Sequence, residues 1–146
     1  MNVRVHSAAL LGIEGLPVDV EVDLYPGVSH FDIVGLPEAA VRESRVRVLS
    51  TLRHLGFRAN SRWITVNLAP ADVRKHGSLY DLPVAVGVLA CLDAVPRESL
   101  KNRMILGELS LDGCIRPVPG ILPMVAAART LGLSEVILPA ANAAEA

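Results

Sequence analysis

The stretch KHGSLYDLPVAVGVLA, residues 75–90, gathers a lysine, a histidine, a serine and an aspartate around the start of an apolar run. A turn that feeds a helix in this way can expose a serine hydroxyl as a nucleophile, provided a neighbouring base takes its proton. The same residues also meet a simpler need. Ser78 can act as an N-cap for the first-turn amides, with Asp81 three residues later as a weaker form of the capping box, which normally carries Glu or Gln there. Pro83 then falls in the first turn, where its missing N–H costs nothing. Helix capping is the reading the spacing favours; contact with a neighbouring subunit or module is the other use of the turn.

Two further pairs have side chains suited to chemistry. Glu108 and Asp112 flank a turn, but no histidine or third carboxylate stands at ligand spacing, so a turn aspartate and a strand-edge glutamate are expected in place of an acid/base or metal pair. Asn67 and Asp72 lie around Ala69-Pro70-Ala71, where they suit either a small ligand or turn-forming hydrogen bonds. Cys91 and Cys114 show no CxxC spacing and no adjacent histidines, and read as two reduced, buried thiols.

Charge is more informative. The formal net charge is −1, which announces no nucleic-acid or membrane partner. Between Arg42 and Lys75, however, eight basic residues (42, 45, 47, 53, 58, 62, 74 and 75) face two acids, Glu43 and Asp72. Arg42, Arg45 and Arg53 project from a helix on the sector away from Val48 and Leu55, and Arg74 with Lys75 lies on the following loop. Such a patch gains from DNA by releasing counterions. A solvated helix face, with Glu38 and Glu43 pairing some arginines, is the reading the residues favour by themselves, and an interface between protomers is a third.

The elements that must position these residues follow from periodicity. Residues 2–9 and 17–25 alternate apolar and polar, as half-buried strands do, with Gly12, Gly15 and Pro17 marking a hairpin between them. Residues 30–34 make a third strand. Pro37 starts a helix with Glu38 in its first turn, and Val41, Val48, Leu52 and Leu55 form its buried face up to Gly56. A strand over 63–68 and a nearly all-apolar helix over about 82–93 come next. The runs 104–111 and 114–118 flank Asp112-Gly113 as a two-residue hairpin. A helix over about 121–131, a strand at 136–138 and a helix barely begun, with Asn142 as its cap, close the chain.

At 146 residues, 51% of them hydrophobic and mostly aliphatic, the chain suits one domain with a core of its own. The expected class is α+β: a mixed sheet in two layers with helices mainly on one face. No signal-peptide pattern and no stretch near the roughly 20 apolar residues of a membrane span is present, so a cytoplasmic protein with no membrane partner is expected.

Three strings carry a resemblance: FDIVGLPEAAVRESRVRV (31–48), ITVNLAPADVRKHGSLYDLPVAVGVLA (64–90) and GELSLDGCIRPVPGILPMVAAAR (107–129). Together they resemble the N-terminal domain of the ComM/YifB family of magnesium-chelatase-like AAA+ proteins, and the likeness covers essentially the whole chain. It implies a fold similar to the proteolytic domain of Lon and the C-terminal domain of RadA, of the ribosomal protein S-five domain 2-like kind. It implies a domain over 1–140, with 141–146 beginning the connection to an AAA+ module that forms hexamers and migrates DNA branches in natural transformation. ATP and magnesium would belong to that module. No GxxxxGK[ST] loop occurs here, so no cofactor is expected in this chain.

Lon-type peptidases use a serine and a lysine, and their pattern laid on this chain puts Leu79 at the nucleophile position and Leu122 at the lysine position. The chain's two lysines are Lys75 and Lys101, neither of them at 119–125. The resemblance therefore implies a Lon-like domain without the catalytic pair, with Arg42, Arg45, Arg53, Arg74 and Lys75 as DNA-contact candidates and no metal site.

Overall fold

The computed structural model describes residues 1–146. Its centre is a hairpin of β1 (Asn2–Leu11) and β2 (Glu14–Pro26), paired antiparallel from Asn2 with Asp23 to Leu11 with Glu14. Both strands run further than the alternation suggested and meet in a turn of Gly12 and Ile13. β3 (His30–Val34) and β4 (Arg62–Ala69) pair in parallel, and β4 joins β2 antiparallel. On the other side β5 (Arg103–Ile105) pairs in parallel with β1. The last strand of this mixed sheet, called β8, is Glu135–Ile137, parallel to β5. The six strands run in the order β3-β4-β2-β1-β5-β8, which leaves β3 and β8 as edges.

The expected hairpin around Asp112-Gly113 exists in reduced form. Only β6 (Glu108–Leu109) and β7 (Ile115–Arg116) pair, and Ser110–Cys114 forms a longer turn. The run 104–111 is split because the chain leaves the main sheet after β5. The Leu106 amide still bonds Ile137, whereas the Gly107 amide turns to the Leu79 carbonyl.

Helices α1 (Ala39–Arg42) and α2 (Ser44–His54) replace the single expected helix, with Glu43 at their junction. Pro37 stays extended and bridges to Lys75, so the first helix begins after Glu38 and not at the proline. Val41, Val48 and Leu52 are buried as the pattern requires, but Leu55 is 57% exposed at the C-terminal end. Helix α3 (Asp81–Cys91) lies over β1 and β2. Its Gly87 allows that approach, since a Cβ there would stand 2.6 Å from Val22 Cγ2.

α2 packs beside α3 on the same side of the sheet. Helix α4 (Ile121–Thr130) takes the opposite face, at the hairpin end of β1 and β2. A Cβ on Gly15 would stand 2.2 Å from the Pro123 carbonyl oxygen, so backbone meets backbone there. Burial shows the same thing, because β1 alternates until His6 and then buries Ser7, Ala8 and Ala9 in succession, covered on both faces. Helices on mainly one face therefore describes α2 and α3, and α4 adds a partial third layer.

After β8 a 3-10 turn, Ala140–Glu145, packs back on the domain. Asn142 is buried inside this turn, not at its cap. Its amide accepts from the Val118 N–H at 2.9 Å and donates to the Val118 carbonyl at 3.0 Å, so the packed residues extend past 140.

Candidate functional site

The turn at 75–81 shows what its polar residues do. Helix α3 starts at Asp81 with Tyr80 before it, and no side chain caps it. Ser78 donates its hydroxyl to Glu108 Oε1 and reaches no first-turn amide. Asp81 is fully buried and bonds no first-turn amide. Its Oδ2 accepts from Arg47 Nε at 2.5 Å and from the Leu109 N–H at 3.0 Å, and its Oδ1 from Arg47 Nη2 at 3.1 Å and from the Ser44 hydroxyl. The capping roles expected of Ser78 and Asp81 are thus overturned: both carboxylate oxygens are spent joining α2, α3 and β6. The hydrogen bond to Asp81 raises the Arg47 guanidinium above its ordinary pKa, against the opposing effect of burial.

Lys75 is corrected too. A DNA contact must be exposed, and Lys75 is fully buried. Its ammonium donates to the Gly35 carbonyl at 2.7 Å and to the Pro70 carbonyl, and its backbone bonds Leu36 and Glu38 on both sides of Pro37. It ties the loop after β4 to the link between β3 and α1. Gly35 lies at φ +105 with Leu68 O 2.2 Å from a Cβ position, a conformation and an approach that only glycine accommodates. Desolvation lowers the pKa of Lys75.

At the positions that resemble the Lon pair, Leu79 is packed in the core and Leu122 is 60% exposed. Lys101 pairs with Glu98 at 2.7 Å on the surface. Glu108 is the acceptor for Ser78. Asp112 is the expected turn aspartate: it accepts from the Ser110 hydroxyl and from the Cys114 N–H at 3.2 Å, which pull its carboxyl down to about 2. Asn67 donates to Glu21 at 2.7 Å. Of the thiols, Cys91 is buried as expected, with its pKa raised by desolvation, but Cys114 is exposed on the turn between β6 and β7. No cluster of three metal-ligating side chains forms.

The remaining basic residues sort by partner. Arg74 pairs with Glu38 at 3.6 Å, while Arg42, Arg45, Arg53 and Arg58 are exposed and make no ion pair. Three of these, Arg45, Arg53 and Arg58, line one groove of about 710 Å³ between α2 and the edge strand β3, with Leu49, Phe31 and Phe57 on its apolar wall. His30 and Asp32 line its other side. The sequence showed Arg45 and Arg53 as outward residues but gave no role to His30, whose place depends on the β3 register.

The chain belongs to a known class of protein. A family profile described as subunit ChlI of Mg-chelatase matches residues 20–142, and the chain belongs to that family. Over 97% of its length it is 42% identical to the competence protein ComM of Haemophilus influenzae, and over the same share 40% identical to the uncharacterised protein YifB of Salmonella typhimurium. Lon protease 2 of Bacillus subtilis is 25% identical over 80% of the chain and 22% of that protease. The chain spans 28% of the length of ComM and of the Salmonella YifB. The fold is the expected α+β arrangement with distant Lon homologues. No helix is long and apolar enough to cross a membrane.

Both lysines are placed by the fold: Lys75 is buried among carbonyls, and Lys101 follows a surface 3-10 turn, Arg97–Leu100.

Proposed function

We propose that this chain is a Lon-like domain without peptide-bond chemistry that gives a ring-forming AAA+ ATPase a DNA-contacting surface. The observation that carries the reading is the set of unpaired arginines on α1, α2 and the following loop, Arg42, Arg45, Arg53 and Arg58. An arginine held by a carboxylate has little left to offer a phosphate; these four are free to displace counterions from DNA. Arg74, already held by Glu38, is a secondary contact. Similarity to a protein named for competence supports the DNA role, and the proposal assigns ATP, magnesium and hexameric assembly to the rest of a longer, cytoplasmic protein.

The absence of peptidase chemistry rests on what the polar groups are doing. The Ser78 hydroxyl is given to Glu108 and the Lys75 amine to two carbonyls, so no free amine serves as base to a free hydroxyl. A serine-reactive phosphonate is expected to leave the intact mass unchanged under conditions that label a Lon control; an adduct on Ser78 would restore the peptidase reading. For DNA, the variant with Arg42, Arg45 and Arg53 all changed to alanine is expected to bind an oligonucleotide at about 50 mM salt roughly tenfold or more weakly, with its urea midpoint unaltered. Unchanged affinity would remove the DNA role.

A specific feature supports a role in assembly as well. The tip of the β1-β2 hairpin exposes Leu11 and Ile13, the latter 90% exposed, beside Leu10. Apolar side chains standing this far out suit contact with a neighbouring protomer. Replacing Ile13 by Asp should weaken ring formation in the longer protein without lowering the stability of this domain, as read by size-exclusion chromatography; an unaltered ring would end that reading.

A further inference from the structure

The groove between α2 and β3 adjoins a feature that the arginines do not explain. Strand register places Tyr25 of β2 opposite Trp63 of β4, and Trp63 opposite His30 of β3. The three rings form a row across the sheet. Tyr25 and Trp63 have centroids 6.2 Å apart with planes 14° from parallel; Trp63 and His30 are 4.1 Å apart at 26°. Because β3 is an edge strand, the row stops at His30, and the next position lies off the sheet. His30 is also a wall of the arginine-lined groove.

We propose that this groove holds a single strand of nucleic acid, with an unpaired base stacked on the outer face of His30 and its flanking phosphates against Arg45, Arg53 and Arg58. The inference rests on the DNA-contact reading and narrows it to single strands. Every base has a flat face that can extend a row of rings, and stacking of this kind tolerates any sequence. A base paired in a duplex has both faces already covered, so a duplex gains the phosphate contacts without the stack. Three guanidiniums outweigh the one carboxylate in the groove, Asp32, and that carboxylate is engaged: His30 Nε2 lies 2.7 Å from Asp32 Oδ2, which holds the ring in place.

The sheet face beyond the row is a poor path for the strand. Asp19, Glu21 and Asp23 lie there, on the same side as Tyr25 along β2. The acidic stretch therefore confines a polyanion to the groove and the edge.

Trp63 is the chain's one tryptophan, so its emission reports on the row directly. Titration with a 15-residue oligothymidylate should quench Trp63, and His30→Ala should weaken that binding roughly 5- to 100-fold, the loss of one base–ring stack. His30→Phe should restore it, and affinity for a duplex of equal length should be the same in all three proteins. If His30→Ala binds the oligothymidylate like the wild type while the Arg45, Arg53 and Arg58 variant does not, the stack is wrong and the DNA contact stands. If neither nucleic acid binds the wild type, both readings fall. If polyglutamate binds the wild type more tightly than the oligothymidylate does, the groove is a site for acidic peptides along β3 and the proposal is overturned.

Discussion

Arg47 and Arg45 stand two residues apart on α2, and only one of them is tied to the rest of the fold. Arg47 turns inward, half-buried, onto Asp81, with Glu43 a further partner at 3.6 Å. Arg45 turns outward into the groove with Arg53 and Arg58 and meets no carboxylate there as an ion pair. The inner side of α2 is complete without a ligand, because each charge has its partner and Ser44 and Leu109 fill the remaining lone pairs. The outer side has no such partners. Identical side chains thus divide into those that hold the domain together and those with no carboxylate partner, and the division is set by what lies opposite.

Loss of Asp81 has the largest expected effect. Asp81→Ala leaves the Arg47 guanidinium partly buried without its counter-charge and strands the Leu109 amide, and the expected loss is about 3–5 kcal/mol in urea unfolding. A loss below about 1 kcal/mol would mean that the buried cluster is not the joint described.

Lys75→Met comes next. It leaves the Gly35 and Pro70 carbonyls without their donor, a cost of about 1–3 kcal/mol. The sign of the pH effect is also set. Burial lowers the Lys75 pKa below its ordinary 10.5, so between the folded and unfolded values the unfolded chain binds more protons. The wild type should therefore gain stability relative to Lys75→Met as pH rises toward 10.5. Taking the difference between the two proteins removes Tyr80, which works the other way: burial raises its pKa, so its contribution is lost as pH climbs above 10.

The smallest effect is local. Ser110→Ala removes the largest cause of the low Asp112 pKa, and the carboxyl titration followed by NMR should move from about 2 back toward 3.8. A depressed carboxyl stabilises the fold above its ordinary value, and that contribution fades as pH falls from 3.8 toward 2. A midpoint that stays put would show that backbone donors alone hold the charge.

The strands were legible because alternation over residues 2–9 and 17–25 reports a half-buried surface, and α3 because its apolar residues surround it. Arg45 and Arg53 could be placed outward from the helical period alone. Lys75 and Asp81 could not be placed, since nothing local distinguishes a solvated charge from one buried by a loop arriving from elsewhere. Lys75 meets Gly35, and Asp81 meets Ser44 and Leu109, all remote in sequence. The row of Tyr25, Trp63 and His30 required both a strand order and a register, β2-β4-β3, that no pattern along one strand contains. The run 104–111 misled for a related reason: periodicity reports apolar residues but not where the chain changes partners.

The salt dependence of oligothymidylate binding tests the division of the arginines most directly. Each phosphate neutralised contributes about −0.7 to the log–log slope for a single strand, so replacing Arg45, Arg53 and Arg58 by alanine should flatten the slope by about 2 while the urea midpoint holds. A slope identical to that of the wild type would contradict the account, because the unpaired arginines would then be no more than solvated surface.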